Sequence, residues 1–136
     1  MSPLGIKTRF ISILLSPCAV AIWTMPAWGQ NIIIDGQTET TANADTVGHI
    51  IVNIAPTDDD RISHNTFTRF NVPKEGLDFD NRFAGARTII SEVTGSERSL
   101  IEGNVEILGQ RAHLFIANPN GILVDGARFI NTGGLA

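Results

Sequence analysis

Tyrosine is absent from this 136-residue chain, cysteine occurs once and tryptophan twice. The cysteine, Cys18, and both tryptophans, Trp23 and Trp28, fall within the first 29 residues. From Gln30 onward the chain therefore closes no disulfide, offers no thiol nucleophile and builds no cysteine-based zinc site. A basic excess is missing too. The chain carries 10 Lys and Arg against 14 Asp and Glu, a net charge of −4, and Lys7 and Arg9 both lie in the leader. The remainder is more acidic still, which disfavours tight binding to nucleic acid or anionic lipid. No segment sustains the apolar period of about 3.6 residues that marks an amphipathic helix. At 43% apolar and 18% charged, the composition also excludes a disordered chain or a collagen-like repeat.

What is there begins with an export leader. Lys7 and Arg9 form a charged n-region, and Phe10 to Trp23 an apolar stretch interrupted by Ser12, Ser16 and Pro17. Ala27-Trp28-Gly29 then puts small residues where a signal peptidase needs them, for a cut between Gly29 and Gln30. The apolar run is short and broken for a membrane-spanning anchor. Lipidation at Cys18 is the other alternative, disfavoured by Pro17 immediately before it. The expected organisation is a signal peptide over residues 1–29 and a single domain over 30–136.

That domain is rich in Ile, Val and Thr, whose branched side chains suit pleated strands and lose freedom in helices. An all-β fold is expected. Ile32-Ile33-Ile34 and Ile50-Ile51-Val52 read as short buried strands, with Gly36 to Asp45 between them as a loop or weak edge strand. Pro56 to Asn65 reads as a break. Its Asp58-Asp59-Asp60 lacks the ligand spacing and turn glycine of a calcium loop, so a solvated tip is the simpler reading. Phe70 and Val72 alternate before Pro73-Lys74-Glu75-Gly76, and Leu77 and Phe79 alternate after it, which reads as a hairpin.

From Arg87 onward strands of a few residues alternate with single turns: Ile89 to Val93, Leu100-Ile101, Val105 to Leu108, Ala112 to Ala117, Ile122 to Val124, and Phe129-Ile130. Asn and Gly at the corners suit tight turns. Such spacing points to a parallel β-helix whose rungs stack apolar residues in columns, with a β-sandwich as the alternative. Phe115-Ile116-Ala117-Asn118 and Phe129-Ile130-Asn131-Thr132 are candidate stacked equivalents. Asn131 to Gly134 reads as a corner. No polar segment follows Phe129-Ile130, so the last rung is expected to expose an apolar face and to promote self-association.

Asn118-Pro119-Asn120-Gly121-Ile122, with Asp125-Gly126 and Phe129-Ile130-Asn131-Thr132 behind it, resembles the filamentous haemagglutinin family. The likeness is to the N-terminal two-partner secretion (TPS) domain of secreted exoproteins and adhesins. Ile51-Val52-Asn53-Ile54, Ser63-His64-Asn65, Phe70-Asn71-Val72, Gly76-Leu77 and Ile90 to Gly95 agree in order. A second family motif, Asn-Pro-Asn-Leu, has no counterpart here, where Asp80-Asn81-Arg82-Phe83 stands instead. The resemblance implies a right-handed parallel β-helix with an N-terminal cap and extra-helical hairpins. It implies export to the periplasm and recognition by the POTRA domains of an outer-membrane transporter, followed by passage to the cell surface or medium. No catalytic residue, metal or other cofactor is implied, and the family domain continues well beyond Ala136.

On this reading Asn118, Pro119, Asn120, Gly121 and Ile122 form either a rung corner or a partner-recognition motif. Phe70, Asn71, Val72 and Leu77 are candidate hairpin contacts. Pro119 fixes φ, and the Asn and Gly residues tolerate positive φ. A stand-alone adhesive module is the alternative function. A polysaccharide-active β-helix enzyme is disfavoured, because the acids are scattered and His49, His64 and His113 show no partner in the sequence. N-terminal sequencing of the exported protein should begin at Gln30; a lipid-bearing start at Cys18 would overturn the cleavage assignment.

Overall fold

A computed structural model describes residues 30–136. The leader and its cut after Gly29 lie outside the described residues. The described chain contains strands, bends and turns and no helix. The strands are β1 (Ile32–Ile34), β2 (Thr41–Ala44), β3 (Ile50–Asn53), β4 (Ile62–Phe70), β5 (Leu77–Asn81) and β6 (Thr88–Val93). They continue with β7 (Ser99–Ile101), β8 (Val105–Gly109), β9 (Ala112–Ala117), β10 (Ile122–Val124), β11 (Phe129–Ile130) and β12 (Thr132–Leu135).

These form a parallel β-solenoid of about three turns, not a sandwich. One face runs β12-β9-β6-β4-β1, a second runs β11-β8-β5-β3-β2, and a third pairs β10 with β7. From β6 onward the faces are visited in rotation, and the inner strands β4, β5, β6, β8 and β9 each pair with a neighbour on both sides. Ile62 lies against Thr88, and Thr88 against His113. Leu77 lies between Ile50 and Val105, and Phe129 lies on Val105.

Parallel registry places like positions of successive coils over one another, so the core is built in columns. Ile50, Leu77, Val105 and Phe129 form one, and Val52, Phe79 and Ile107 another. Phe67, Phe70, Phe79, Leu77, Ile89, Ile101, Ile107 and Leu114 are fully buried. Each contributes roughly 1.5–3 kcal/mol of burial. Phe70 packs edge-on against Phe67 at 5.1 Å between centroids and stacks on Phe79 at 6.1 Å.

The N-terminal side is closed by antiparallel strands. β1 pairs with β4, and β2 forms a hairpin with β3 through a turn at Asp45–His49. The region read as a loop or weak edge strand thus holds the edge strand β2. Beneath it lies a buried polar plug. Asn65 Oδ1 accepts from Thr40 Oγ1 and Ala55 N–H, and its Nδ2 donates to Ile90 O in the next coil. The break read as far as Asn65 therefore ends earlier. Ser63 and Asn65 are tolerated inside β4 because their polar atoms find partners there.

Three expectations are corrected. Gly76 N–H does donate to Pro73 O, closing the expected turn, but no hairpin follows. Val72 bridges to Ile101 and Leu77 joins β3 and β8, all parallel. Phe70, Val72 and Leu77 are core side chains, so they present no hairpin contact surface; Asn71 Oδ1 instead accepts from Leu100 N–H in the next coil. A solenoid corner and a hairpin turn use the same local chemistry and differ only in where the chain goes next. Second, Phe115 pairs with Ile90 while Phe129 pairs with Val105, so the two Phe segments lie on different faces and are not stacked equivalents. Third, Thr132–Leu135 is a strand on β9 rather than a corner.

Close approach of coils explains two glycines. A Cβ on Gly103 would lie 2.0 Å from Pro73 O, and one on Gly95 would lie 2.1 Å from Thr68 O. Gly126 has φ +83 with open space around it. Urea denaturation should therefore separate a steric from a conformational cost. Gly103→Ala should lose about 2–3 kcal/mol, and Gly126→Ala about 1 kcal/mol.

Candidate functional site

The Asn118–Ile122 segment is the corner between β9 and β10, set over the corresponding corner of the coil before. Gly121 N–H donates to Asn118 O at 3.0 Å, closing a tight turn, and Gly121 has φ +108. Asn118 Oδ1 accepts from Asn120 N–H at 2.8 Å. Both side chains then reach to the preceding coil. Asn118 Nδ2 donates to Glu97 O and to Ser99 Oγ, and Asn120 Nδ2 donates to Gly95 O. Ser99 N–H in turn donates to Gly121 O.

The motif thus has an inner, hydrogen-bonded side and an outer side carrying exposed Pro119 and Ile122. Of its residues only Gly121 has positive φ; Asn118 does not. The constraint on Asn118 is its carboxamide, which pairs groups of two coils, and not backbone strain. Ile122, Leu123 and Val124 continue as an exposed apolar strip, each 40–49% accessible, and Ile130 and Leu135 on the other two faces are exposed as well.

Other asparagines do similar work without having been singled out from the sequence. Fully buried Asn81 donates to Ala86 O and Gln110 O and accepts from Ala86 N–H. Asn131 donates to Ile107 O and Gly109 O and is itself at φ +62. The available signal was an Asn at or just past a strand end, repeated on several coils. In Asp80-Asn81-Arg82-Phe83, Asp80 is held by a two-point contact with the Arg82 guanidinium, and Phe83 is 91% exposed.

Stacking also supplies partners for two histidines. His64 Nε2 lies 2.8 Å from Glu92 Oε1 on the next coil. His49 Nδ1 lies 2.8 Å from Glu75 O and its Nε2 lies 2.9 Å from Asp78 Oδ2. A carbonyl and a carboxylate are both acceptors, so only the protonated His49 ring satisfies both with its two N–H groups. It ties the β2–β3 hairpin to the second coil. At the other cap strand, Asp35 accepts from Thr66 Oγ1 and Thr94 Oγ1, joining the end of β1 to two coils. Asp58 Oδ1 accepts from Asp60 N–H and Ile62 N–H, which accounts for the first acid of the Asp58–Asp60 tip as a turn former. Among the described residues no three His, Cys, Asp or Glu converge as a metal site.

A parallel solenoid capped at its N-terminal side by antiparallel strands, with asparagine corners joining its coils, is the architecture of an exoprotein secretion domain. The family described as the TPS secretion domain matches residues 30–136, and the chain belongs to it. A crystal structure of the filamentous hemagglutinin secretion domain superposes with a TM-score of 0.70 at 34% identity, covering 78% of this chain and 41% of that one. The chain is 37% identical to a "tRNA nuclease CdiA" of Escherichia coli, over 96% of its own length and 4% of that relative. It is 36% identical to "Filamentous hemagglutinin" of Bordetella pertussis, over 78% of this chain and 3% of that one. The chain therefore spans a small fraction of these curated relatives.

The ionisable contacts predict a two-sided pH dependence. The Glu75 carbonyl, then the Asp78 carboxylate, raise His49 above its ordinary value against some desolvation. Its contribution is complete below pH 6.5, the unfolded value, and is lost as pH rises through the folded one. Desolvation pushes Asp35 up, but the Thr66, Gln37 and Thr94 donors outweigh it and leave it below normal. The Arg82 guanidinium holds Asp80 low, against desolvation. Those two contributions are present above pH 3.8 and vanish as pH falls through the folded values. Solvent access keeps the His49 and Asp35 contacts small, at most about 1 kcal/mol each, whereas the Asp80 carboxylate is buried. Urea midpoints measured across pH should fall at both ends, and His49→Ala should flatten the alkaline limb alone.

Proposed function

We propose that this domain is the secretion address and folding seed of a two-partner secretion exoprotein. The signal peptide carries the chain through the general export machinery into the periplasm. There the POTRA domains of an outer-membrane transporter bind it, and the transporter passes the exoprotein to the cell surface or medium. Catalysis plays no part in this role; adhesive or toxic activity belongs to a passenger beyond the domain. The observation that carries the reading is the family match over 30–136 together with a solenoid of unequal ends. One end is closed by antiparallel β1 and β2. At the other, Ile122, Leu123, Val124, Ile130 and Leu135 expose apolar surface on the last coil. Such an end supports addition of further coils, and self-association where none is added.

Within this reading the Asn118–Ile122 corner acts first through structure. Its carboxamides occupy donors and acceptors of two coils, which favours a register-setting role over a contact surface. Asn118→Ile should cost roughly 1–3 kcal/mol by leaving Ser99 and its neighbours without partners, and Gly121→Val a similar amount through backbone strain at positive φ. Both should lower the thermal midpoint and secretion together. Binding of the exported chain to the purified periplasmic domains of its transporter, set beside binding to host cells, tests the larger proposal. Attachment to cells with no affinity for the transporter domains would favour the adhesive alternative. A variant that keeps its thermal midpoint but loses transporter binding would make the corner a recognition surface.

A further inference from the structure

Asn120-Gly121 is the one Asn-Gly pair in the chain. An Asn followed by Gly is the pair most prone to spontaneous deamidation, because no side chain shields the following backbone nitrogen. That nitrogen loses its proton and attacks Cγ of the Asn side chain. The C–N bond to the side-chain amide breaks, ammonia leaves with the proton, and a five-membered imide remains. Water then opens the imide to aspartate or isoaspartate.

In the folded corner the attacking and the leaving nitrogen are both occupied. The attacking atom, Gly121 N, donates to Asn118 O at 3.0 Å. The leaving amide, Asn120 Nδ2, donates to Gly95 O at 2.8 Å and to Asn118 Oδ1 at 3.0 Å. Asn120 N–H is held by the same Asn118 Oδ1 at 2.8 Å. Asn120 is nevertheless exposed, so water and hydroxide reach it. Protection therefore comes from fixed geometry, not from burial.

We propose that Asn120 is a deamidation site gated by folding. While the chain is unfolded, Gly121 N and the Asn120 carboxamide meet freely and the reaction proceeds. Once the third coil closes on the second, the nitrogen is committed to Asn118 O and the carboxamide to Gly95 O, and the reaction stops. The product is not neutral to the fold. A carboxylate at position 120 cannot donate to Gly95 O and sits against Asn118 Oδ1, two acceptors with no proton between them. A chain that stays unfolded too long therefore loses the ability to lock this corner. The corner acts as a chemical record of time spent unfolded, whatever partner the domain meets.

The test compares the purified chain incubated folded and incubated in urea, at one mildly alkaline pH and temperature. Each sample is digested and residue 120 is followed by peptide mass and by enzymatic methylation of isoaspartate. Asn131-Thr132, shielded by a branched neighbour, serves as the internal comparator. The expected result is that Asn120 converts in the unfolded chain and at least roughly tenfold more slowly in the folded one, where reaction waits for local opening. Equal rates in the two states overturn the gating. The second measurement is the thermal midpoint of Asn120→Asp, expected below that of the parent chain. An unchanged midpoint overturns the claim that the product disables the corner.

Discussion

The strands of this solenoid satisfy most of their backbone on the neighbouring coil or, at the first coil, on a cap strand. Paired strands lie about 4.8 Å apart, so successive coils approach closely all the way round, corners included. The columns Ile50-Leu77-Val105-Phe129 and Val52-Phe79-Ile107 follow from that spacing, because residues in register must fill the same slot. So do the bare corners. Gly95 and Gly103 sit where any Cβ would meet the carbonyl of the coil before. The corner asparagines answer the same demand in polar form. A corner carbonyl that turns out of the ladder still needs a donor, and the carboxamides of Asn81, Asn118, Asn120 and Asn131 supply it from an adjacent coil or turn.

A stacked architecture must also solve its ends. At the N-terminal side β1 and β2 run antiparallel to the first coil and cover its strands. Asn65, Thr40 and Ser63 close the interior with hydrogen bonds in place of apolar contacts. Asp35 and His49 reach past the first coil, so the cap is fastened to more than the layer it covers. The opposite end presents apolar side chains of the last coil.

Much of this is legible in the sequence. The wealth of β-branched residues excludes helices, short strands between Asn- and Gly-bearing corners suggest stacked rungs, and Asn118-Pro119-Asn120-Gly121 with its neighbours points to the secretion-domain family. These are local signals, carried by residues a few positions apart. Pro73-Lys74-Glu75-Gly76 marks the limit of that legibility. Its turn forms as read, yet Val72 and Leu77 leave it for Ile101 and Ile50 rather than for each other.

The chain's own chemistry therefore determined which residues form strands, where the chain turns and which side chains are apolar, since each depends on backbone preference and near neighbours. Tertiary structure alone decided which strands pair, and with that everything that acts between coils. His49 meets Asp78, Asn120 meets Gly95 and Phe129 covers Val105 through parallel stacking across distant stretches of sequence. Coil lengths here are unequal, so no fixed period announces those partners. The register is set only when the apolar columns and the backbone ladder close together, and that is a property of the whole stack.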